Sequence, residues 1–287
     1  MADRKLAILF PDASKPMDLR EAESFVCEAR RQMGEIDTFF GLPVYQNPVG
    51  IEVEVENSTP WPFAPLYWQI TDDASLKKHG AELISLPLRG RNIDYALHEF
   101  ARLAKSSEWT FGHRTSVHVH CNVSTYTKYQ LRALMAIYAC MEELYFSFVN
   151  DFRRGNTFCY RLVGTPAEMV FYNTDKEGCE CTKYCAFNIQ PVRRQLTVEF
   201  RHLEGTQDMK KIRRWIQLCA KLVGYVEAMN SHDCTEIVMK AIQSGGMPAM
   251  ISDILGDTGE ALFSERQVNE SVNNGALWAL ALLTREA

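Results

Sequence analysis

Three separated segments of the chain alternate apolar with polar or ionisable residues, and a period of two restricts them to extended strands. In GIEVEVEN (Gly50 to Asn57), Ile51, Val53 and Val55 fall on one side and Glu52, Glu54 and Glu56 on the other. In SVHVHCNV (Ser116 to Val123), His118, His120 and Asn122 oppose Val117, Val119, Cys121 and Val123. QLTVEFRH repeats the pattern and places Thr197, Glu199 and Arg201 together. Ala81 to Leu88 reads as a further strand and carries Glu82, while the proline- and aromatic-rich TPWPFAPLYWQI reads as an extended arm.

Helical spacing predicts helices over Met17 to Met33, Ile93 to Ser106, Lys128 to Arg153, Met209 to Asn230, Thr235 to Gln243, Ala249 to Leu255 and Val272 to Leu283. Strands crowd the middle of the chain without regular βαβ alternation. That order predicts an α+β fold, an antiparallel sheet with helices against one face. No repeat or linker composition divides the 287 residues, so a single domain over 1–287 is expected, with core motifs in 50–206 and a helical part in 207–287.

A net charge of −5 and a pI near 5.9 oppose general binding to a phosphate backbone. The nine cysteines are an odd number without a disulfide pattern, which suits a reducing compartment. No segment reads as a secretion signal or membrane anchor, so a cytoplasmic location without membrane partners is expected.

Carboxylates two apart on a strand lie about 7 Å from each other on one face, within reach of neighbouring divalent ions. Glu52, Glu54, Glu82 and Glu199 would bring four negative charges to one surface. Two Mg²⁺ ions would neutralise them, and without cations the face would repel itself. Each strand alone could be an ordinary solvated sheet face, but their conjunction favours a metal site. Oxygen-rich ligation with an imidazole suits Mg²⁺ or Mn²⁺ better than structural Zn²⁺, and such Mg²⁺ usually accompanies nucleotide phosphates.

The ordered set GIEVEVEN, DASLKKHGAELISLPL (Asp73 to Leu88), SVHVHCNV, KYCAFN (Lys183 to Asn188) and TVEFRHLEGT (Thr197 to Thr206) resembles the amidoligase family. That family is grouped with glutamine synthetases and glutamate–cysteine ligases among the carboxylate–amine ligases. The resemblance implies a glutamine synthetase-like fold: a curved antiparallel sheet forming an open bowl, with helices on its outer face and ATP with two or three Mg²⁺ or Mn²⁺ ions on the concave face. It implies Glu52, Glu54, Glu82, His118 and Glu199 as metal ligands and Arg201 as the contact to the transferred phosphate, with Glu54 and Arg201 catalytic. It places His120, Asp73, Ser75, Lys183, Tyr184 and Asn188 near substrate or nucleotide. The implied reaction joins a carboxylate, on a small molecule, peptide or modified biopolymer, to an amine co-substrate through an acyl phosphate.

Two other readings remain open at this point. A metal-dependent hydrolase could use His118 and His120 with carboxylates to activate water, and a catalytically inactive relative could bind a ligand. Cys179, Cys181 and Cys185 are spaced irregularly for zinc, and Arg193, Arg194, Lys210, Lys211, Arg213 and Arg214 form a local basic cluster that reads as a solvated helix face or an anion contact. The chain has no G-x4-G-K-[ST] loop, G-x-G-x-x-G, H-E-x-x-H or G-x-S-x-G, so ATP would bind through metals rather than through a phosphate loop.

Overall fold

The alternating segments fold as their period demands, since Ile51, Val53, Val55, Val117, Val119, Val198 and Phe200 are all fully buried. The computed structural model describes residues 48–166 except 59–60, 62–63 and 78, then 183–256 and 261–284. The helix expected over Met17 to Met33, and Cys179 and Cys181, lie outside the described residues. Two compact units are present, Met1–Gly112 and His113–Ala287. Both are built of antiparallel strands with helices, giving the expected α+β class.

In the first unit, β1 (Val49–Val55), β2 (Trp68–Asp72) and β3 (Ala81–Ser85) pair antiparallel in the order β2-β3-β1. The expected extended arm is thus corrected in its last part: Trp68 to Ile70 belong to β2, whose pairing the prolines before it had masked. Strand β3 stops at Ser85, three residues short of expectation. The Ser85 hydroxyl accepts from Ile51 N and donates to Leu86 O, both at 2.8 Å, and pairing with β1 resumes at Leu88, which exchanges backbone hydrogen bonds with Val49. Helix α1 (Arg91–Lys105) buries Ile93, Ala96, Leu97, Phe100, Leu103 and Ala104. Its Glu99 accepts from Leu66 N and Tyr67 N at 2.8 Å each and so anchors the chain entering β2.

In the second unit, β4 (Ser116–Asn122), β5 (Phe187–Asn188) and β6 (Thr197–Glu204) pair antiparallel in the order β4-β6-β5. The β4–β6 register shifts between Val117, opposite Leu203, and Val119, opposite Phe200. His118 therefore faces two residues, Arg201 and His202, and β6 carries a β-bulge there. Bulges re-aim side chains and recur beside functional sites. Here the outward row Thr197, Glu199, Arg201 is preserved while His202 joins the core, fully buried.

Helix α2 (Lys128–Phe148) begins with a Thr127/Gln130 capping box and is buried almost all round. It ends five residues before the expected Arg153, because Asn150 caps a separate 3₁₀ turn, Asp151–Arg153. After the short α3 (Val192–Gln195) come α4 (Met209–Ala228), α5 (Cys234–Gln243), α6 (Met247–Leu255) and α7 (Glu265–Leu283). The last starts seven residues earlier than expected, at a Ser264/Gln267 capping box. Among the described residues no helix is long and apolar enough to cross a membrane.

Ser271, Gly275 and Ala279 lie four apart on the face that α7 turns to α2. The Ser271 hydroxyl donates to Cys140 O at 2.7 Å, and a Cβ built on Gly275 would lie well inside van der Waals contact of the Ala139 carbonyl. A side chain there must push two backbones apart, and overpacking of this kind costs about 1–3 kcal/mol or more. Gly275→Val is expected to lower the urea unfolding midpoint by an amount equivalent to at least about 3 kcal/mol. An unchanged midpoint would contradict this packing.

Candidate metal and phosphate site

Glu199 is the centre of the second unit's polar cluster. It projects from β6 at 3% exposure, and burying a carboxylate is tolerable only with partners. Asn188, directly opposite on β5, donates to Oε2 at 2.7 Å. Arg201, two residues along the same face, donates from Nη1 to Oε1 at 2.5 Å. His118 Nδ1 lies 3.3 Å and His120 Nε2 3.9 Å from that same Oε1.

Each imidazole is steadied from behind. His118 Nε2 is 2.8 Å from the Ser116 hydroxyl, and His120 Nδ1 is 3.0 Å from the Thr197 hydroxyl. With the Ser116 hydroxyl accepting a hydrogen bond from Nε2–H, the Nδ1 lone pair is aimed at the Glu199 side, the arrangement by which outer hydrogen bonds prepare metal-ligating histidines. The 3.3 Å between Nδ1 and Oε1 is close to the roughly 3 Å separating neighbouring ligands in an octahedral Mg²⁺ shell with bonds of about 2.1 Å. His118 and Glu199 could therefore share one ion without rearrangement.

The candidates that the first unit contributes are carboxylates. Glu54 and Glu82 are directly opposite on β1 and β3, and Glu52 shares the face two residues from Glu54. Glu54 is only 7% exposed, which does not suit a merely solvated sheet face. Like charges directly opposite destabilise a sheet unless positive charge lies near them, and carboxylates so placed could hold a divalent ion. Glu56 leaves the row: β1 ends at Val55, and Glu56 Oε1 accepts from Lys77 N at 3.1 Å.

The remaining sequence candidates make the following contacts. Asp73 Oδ1 accepts from Ser75 N at 2.8 Å and Asp73 O from Leu76 N at 3.2 Å, so the D-x-S element builds the turn leading into β3. Lys183 Nζ sits 5.4 Å from the centre of the Tyr184 ring, whose edge packs on Phe158 with centroids 5.6 Å apart. Asn188 has its amide committed on both ends, to Glu199 and, through Oδ1, to Gln190 N at 3.0 Å, which makes it a positioning group for Glu199. Of the possible zinc cysteines only Cys185 is described, and it is buried with its thiol pushed up to about 11 by desolvation, which disfavours the thiolate a metal needs. Lys211 of the basic cluster pairs with Glu204, and Arg193, Arg194, Lys210, Arg213 and Arg214 are exposed.

Sequence reasoning missed Ser116, Thr197 and the polar core behind β6. Arg153, fully buried, donates from Nε to His202 O at 2.8 Å and from Nη2 to Arg201 O at 2.6 Å, fixing the backbone that carries Arg201. The Tyr138 hydroxyl lies 2.7 Å from His202 Nε2 and donates to Glu142 Oε1 at 3.2 Å. Burial holds His202 well below the usual imidazole range, with Arg153 adding to the effect, so it is neutral. Burial also raises the Glu142 carboxyl, against hydrogen bonds from Leu162 N and Val163 N and the charge of Arg161. The pattern S-x-H, with a hydroxyl on the imidazole face, was the one local signal that could have revealed Ser116.

A family model described as "putative amidoligase enzyme" matches residues 67–223, more than half of the chain. The span takes in Glu82, His118, Glu199 and Arg201 and begins after β1, so Glu52 and Glu54 precede it. No curated protein is similar enough to count as a match.

If Ser116 prepares His118, Ser116→Ala is expected to weaken Mn²⁺ binding about tenfold and Glu199→Gln to weaken it further, as outer-shell and direct ligands do. Titration followed by the electron paramagnetic resonance of free Mn²⁺ would measure both. Unchanged affinity in Glu199→Gln would remove it from the ligand set.

Proposed function

The chain belongs to the amidoligase family of amide-bond-forming ligases, and from that premise we propose that it joins a carboxylate to an amine using ATP, through an acyl phosphate, with Mg²⁺ or Mn²⁺. The observation that carries this reading is the environment of Glu199, a buried carboxylate with two imidazoles and a guanidinium grouped on one of its oxygens. Within the first unit, Glu52, Glu54 and Glu82 are further carboxylates suited to divalent ions.

The chemistry sets the need. A carboxylate is a poor acylating agent because hydroxide leaves badly. Its oxygen therefore attacks the γ-phosphorus of ATP, the bond to ADP breaks, and an acyl phosphate forms. The amine then attacks the acyl carbon, the C–N bond forms, phosphate departs with the C–O bond electrons, and the amine proton passes to solvent. Bound divalent ions supply neutralising charge for the phosphoryl transfer.

The chain's own groups do the positioning. Arg201 offers N–H donors to the transferring phosphoryl group, where preorganised cations have their largest effect. Its backbone is held by Arg153 and its side chain by Glu199. Asn188 orients Glu199, and Ser116 and Thr197 orient the two imidazoles. His120, at the same oxygen as Arg201 but farther from it, is suited to contact nucleotide or substrate. The substrates are an acid, on a small molecule, peptide or modified biopolymer, and an amine.

The test is Mg²⁺-dependent release of ADP and phosphate from ATP against pooled acids and amines. Release is expected only when both an acid and an amine are present. Glu54→Gln and Arg201→Ala are each expected to lower it at least about 100-fold, the scale for removing one transition-state contact, with unchanged circular dichroism. Full turnover in either variant would overturn the assignment. Phosphate release that needs no amine would point instead to hydrolysis.

A further inference from the structure

The second unit holds an open cleft of about 840 Å³ lined by Arg154, Asn156, Phe158, Tyr160, Arg161 and Tyr184 among others. It adjoins the polar cluster through Phe158, whose carbonyl lies 3.5 Å from Arg201 Nε. Tyr184, expected near substrate or nucleotide, is in its lining, and the steps of the proposed reaction assign the cleft no ligand.

Its chemistry is specific. Arg154 donates from Nη1 to Glu143 Oε2 at 2.6 Å, and Arg161 donates to Glu143 Oε1 from its own Nη2 and approaches Glu142 Oε2 from Nε at 3.5 Å. Both guanidinium carbons sit 5.9 Å from the centre of the buried Phe146 ring. The two forks are thus fixed by a shared carboxylate and a shared aromatic face. The arginine side chains are 37% and 38% exposed, whereas Glu143 is 19% and Glu142 1% exposed. Glu142 and Glu143 lie behind the cations, while the exposed Asp151 carboxylate stands 3.8 Å from Arg154 Nε and leaves the η nitrogens to a ligand. Each guanidinium has five N–H donors, more than the carboxylates behind take up. Fixed arginine forks recognise carboxylates in bidentate fashion. Around them Phe158, Tyr160 and Tyr184 offer ring surface, and Tyr160 is nearly half exposed.

The cleft has room for far more than the simplest amine. Pockets of roughly 300–1,000 Å³ enclose ligands of drug size, so a cleft of about 840 Å³ is far larger than ammonia or a lone amino acid needs. We propose that this cleft binds the amine substrate as a short peptide, its C-terminal carboxylate on Arg154 and Arg161 and an aromatic side chain against Tyr160, Phe158 and Tyr184. This rests on the ligase reading for the word amine, since a peptide gripped by its carboxylate presents its N-terminal amine for reaction. The recognition itself rests on the cleft alone.

The test is affinity-selection mass spectrometry with a fully randomised tetrapeptide library, once with free C-terminal carboxylates and once with C-terminal amides. Retention of the free-acid library is expected to be enriched in Phe-, Tyr- and Trp-containing members and about tenfold above the amide library, the scale of one lost charge-assisted contact. Arg154→Gln should abolish the difference between the libraries. Tyr160→Ala, at an exposed position that the core does not need, should abolish the aromatic enrichment while leaving the melting temperature unchanged. Equal retention of both libraries, retention of neither, or displacement of retained peptides by Mg·ATP would each overturn the proposal. ADP formation with ammonium as the sole amine, together with no peptide retention, would sink this inference and leave the ligase standing. Selective retention of free-acid peptides with no ADP formation under any condition would leave the recognition standing and overturn the ligase.

Discussion

A carboxylate buried on a sheet must find polar partners in place of water, and Glu199 sets that condition for the second unit. Its requirement explains why a two-residue strand, β5, is worth forming: Asn188 arrives from it directly opposite. It also explains why Arg201 leans back along its own strand instead of reaching into solvent. Two imidazoles complete the cluster, each backed by a hydroxyl. Such a network is stiff because every member restricts the rotamers of the next. Stiffness is what a phosphoryl-transfer site needs, since its donors must be in place before charge develops.

Behind the strand lies a second polar layer that an apolar core would not predict. Helix α2 is otherwise hydrophobic, yet it carries Tyr138 and Glu142 inward. Tyr138 bonds the neutral His202 of β6, and Glu142 gathers Leu162 N, Val163 N and Arg161 from the segment that forms the wall of the cleft. One helix thereby holds both the strand that bears Arg201 and the loop that bears Arg161. Breaking a buried charged contact of this kind costs several kcal/mol because the partner remains desolvated, so the cleft wall and the strand are bound to the same helix face.

What could be read in advance was whatever depends on local spacing. The rows Glu52–Glu54, His118–His120 and Glu199–Arg201 follow from a period of two, and β4, α1 and α4 were placed to within a few residues. The family match independently covers most of the same motifs, though it begins after β1. What escaped depends on partners far away in sequence. The bulge that sends His202 inward is decided by pairing with β4, 84 residues earlier at His118. Arg153 is buried only because two carbonyls of β6 receive it. The beginning of α7 was missed because its contact with α2 relies on Ser271 and Gly275, small residues that leave no hydrophobic stripe to count. The turn that Asp73 builds with Ser75 was not legible, because an aspartate's hydrogen bonds cannot be read from its position in the chain.

The bulge in β6 divides the strand into two reading frames. On the Thr197 side the frame is set by the donors that Glu199 demands, and on the Glu204 side by apolar packing around Leu203 and the rings about His202. Because the extra residue absorbs the mismatch between them, the chemistry-bearing end and the core end of one strand need not obey the same alternation. Lineages descended from such a strand are free to reshape the polar end without dragging the interior along, a modularity that a perfectly regular strand would forbid.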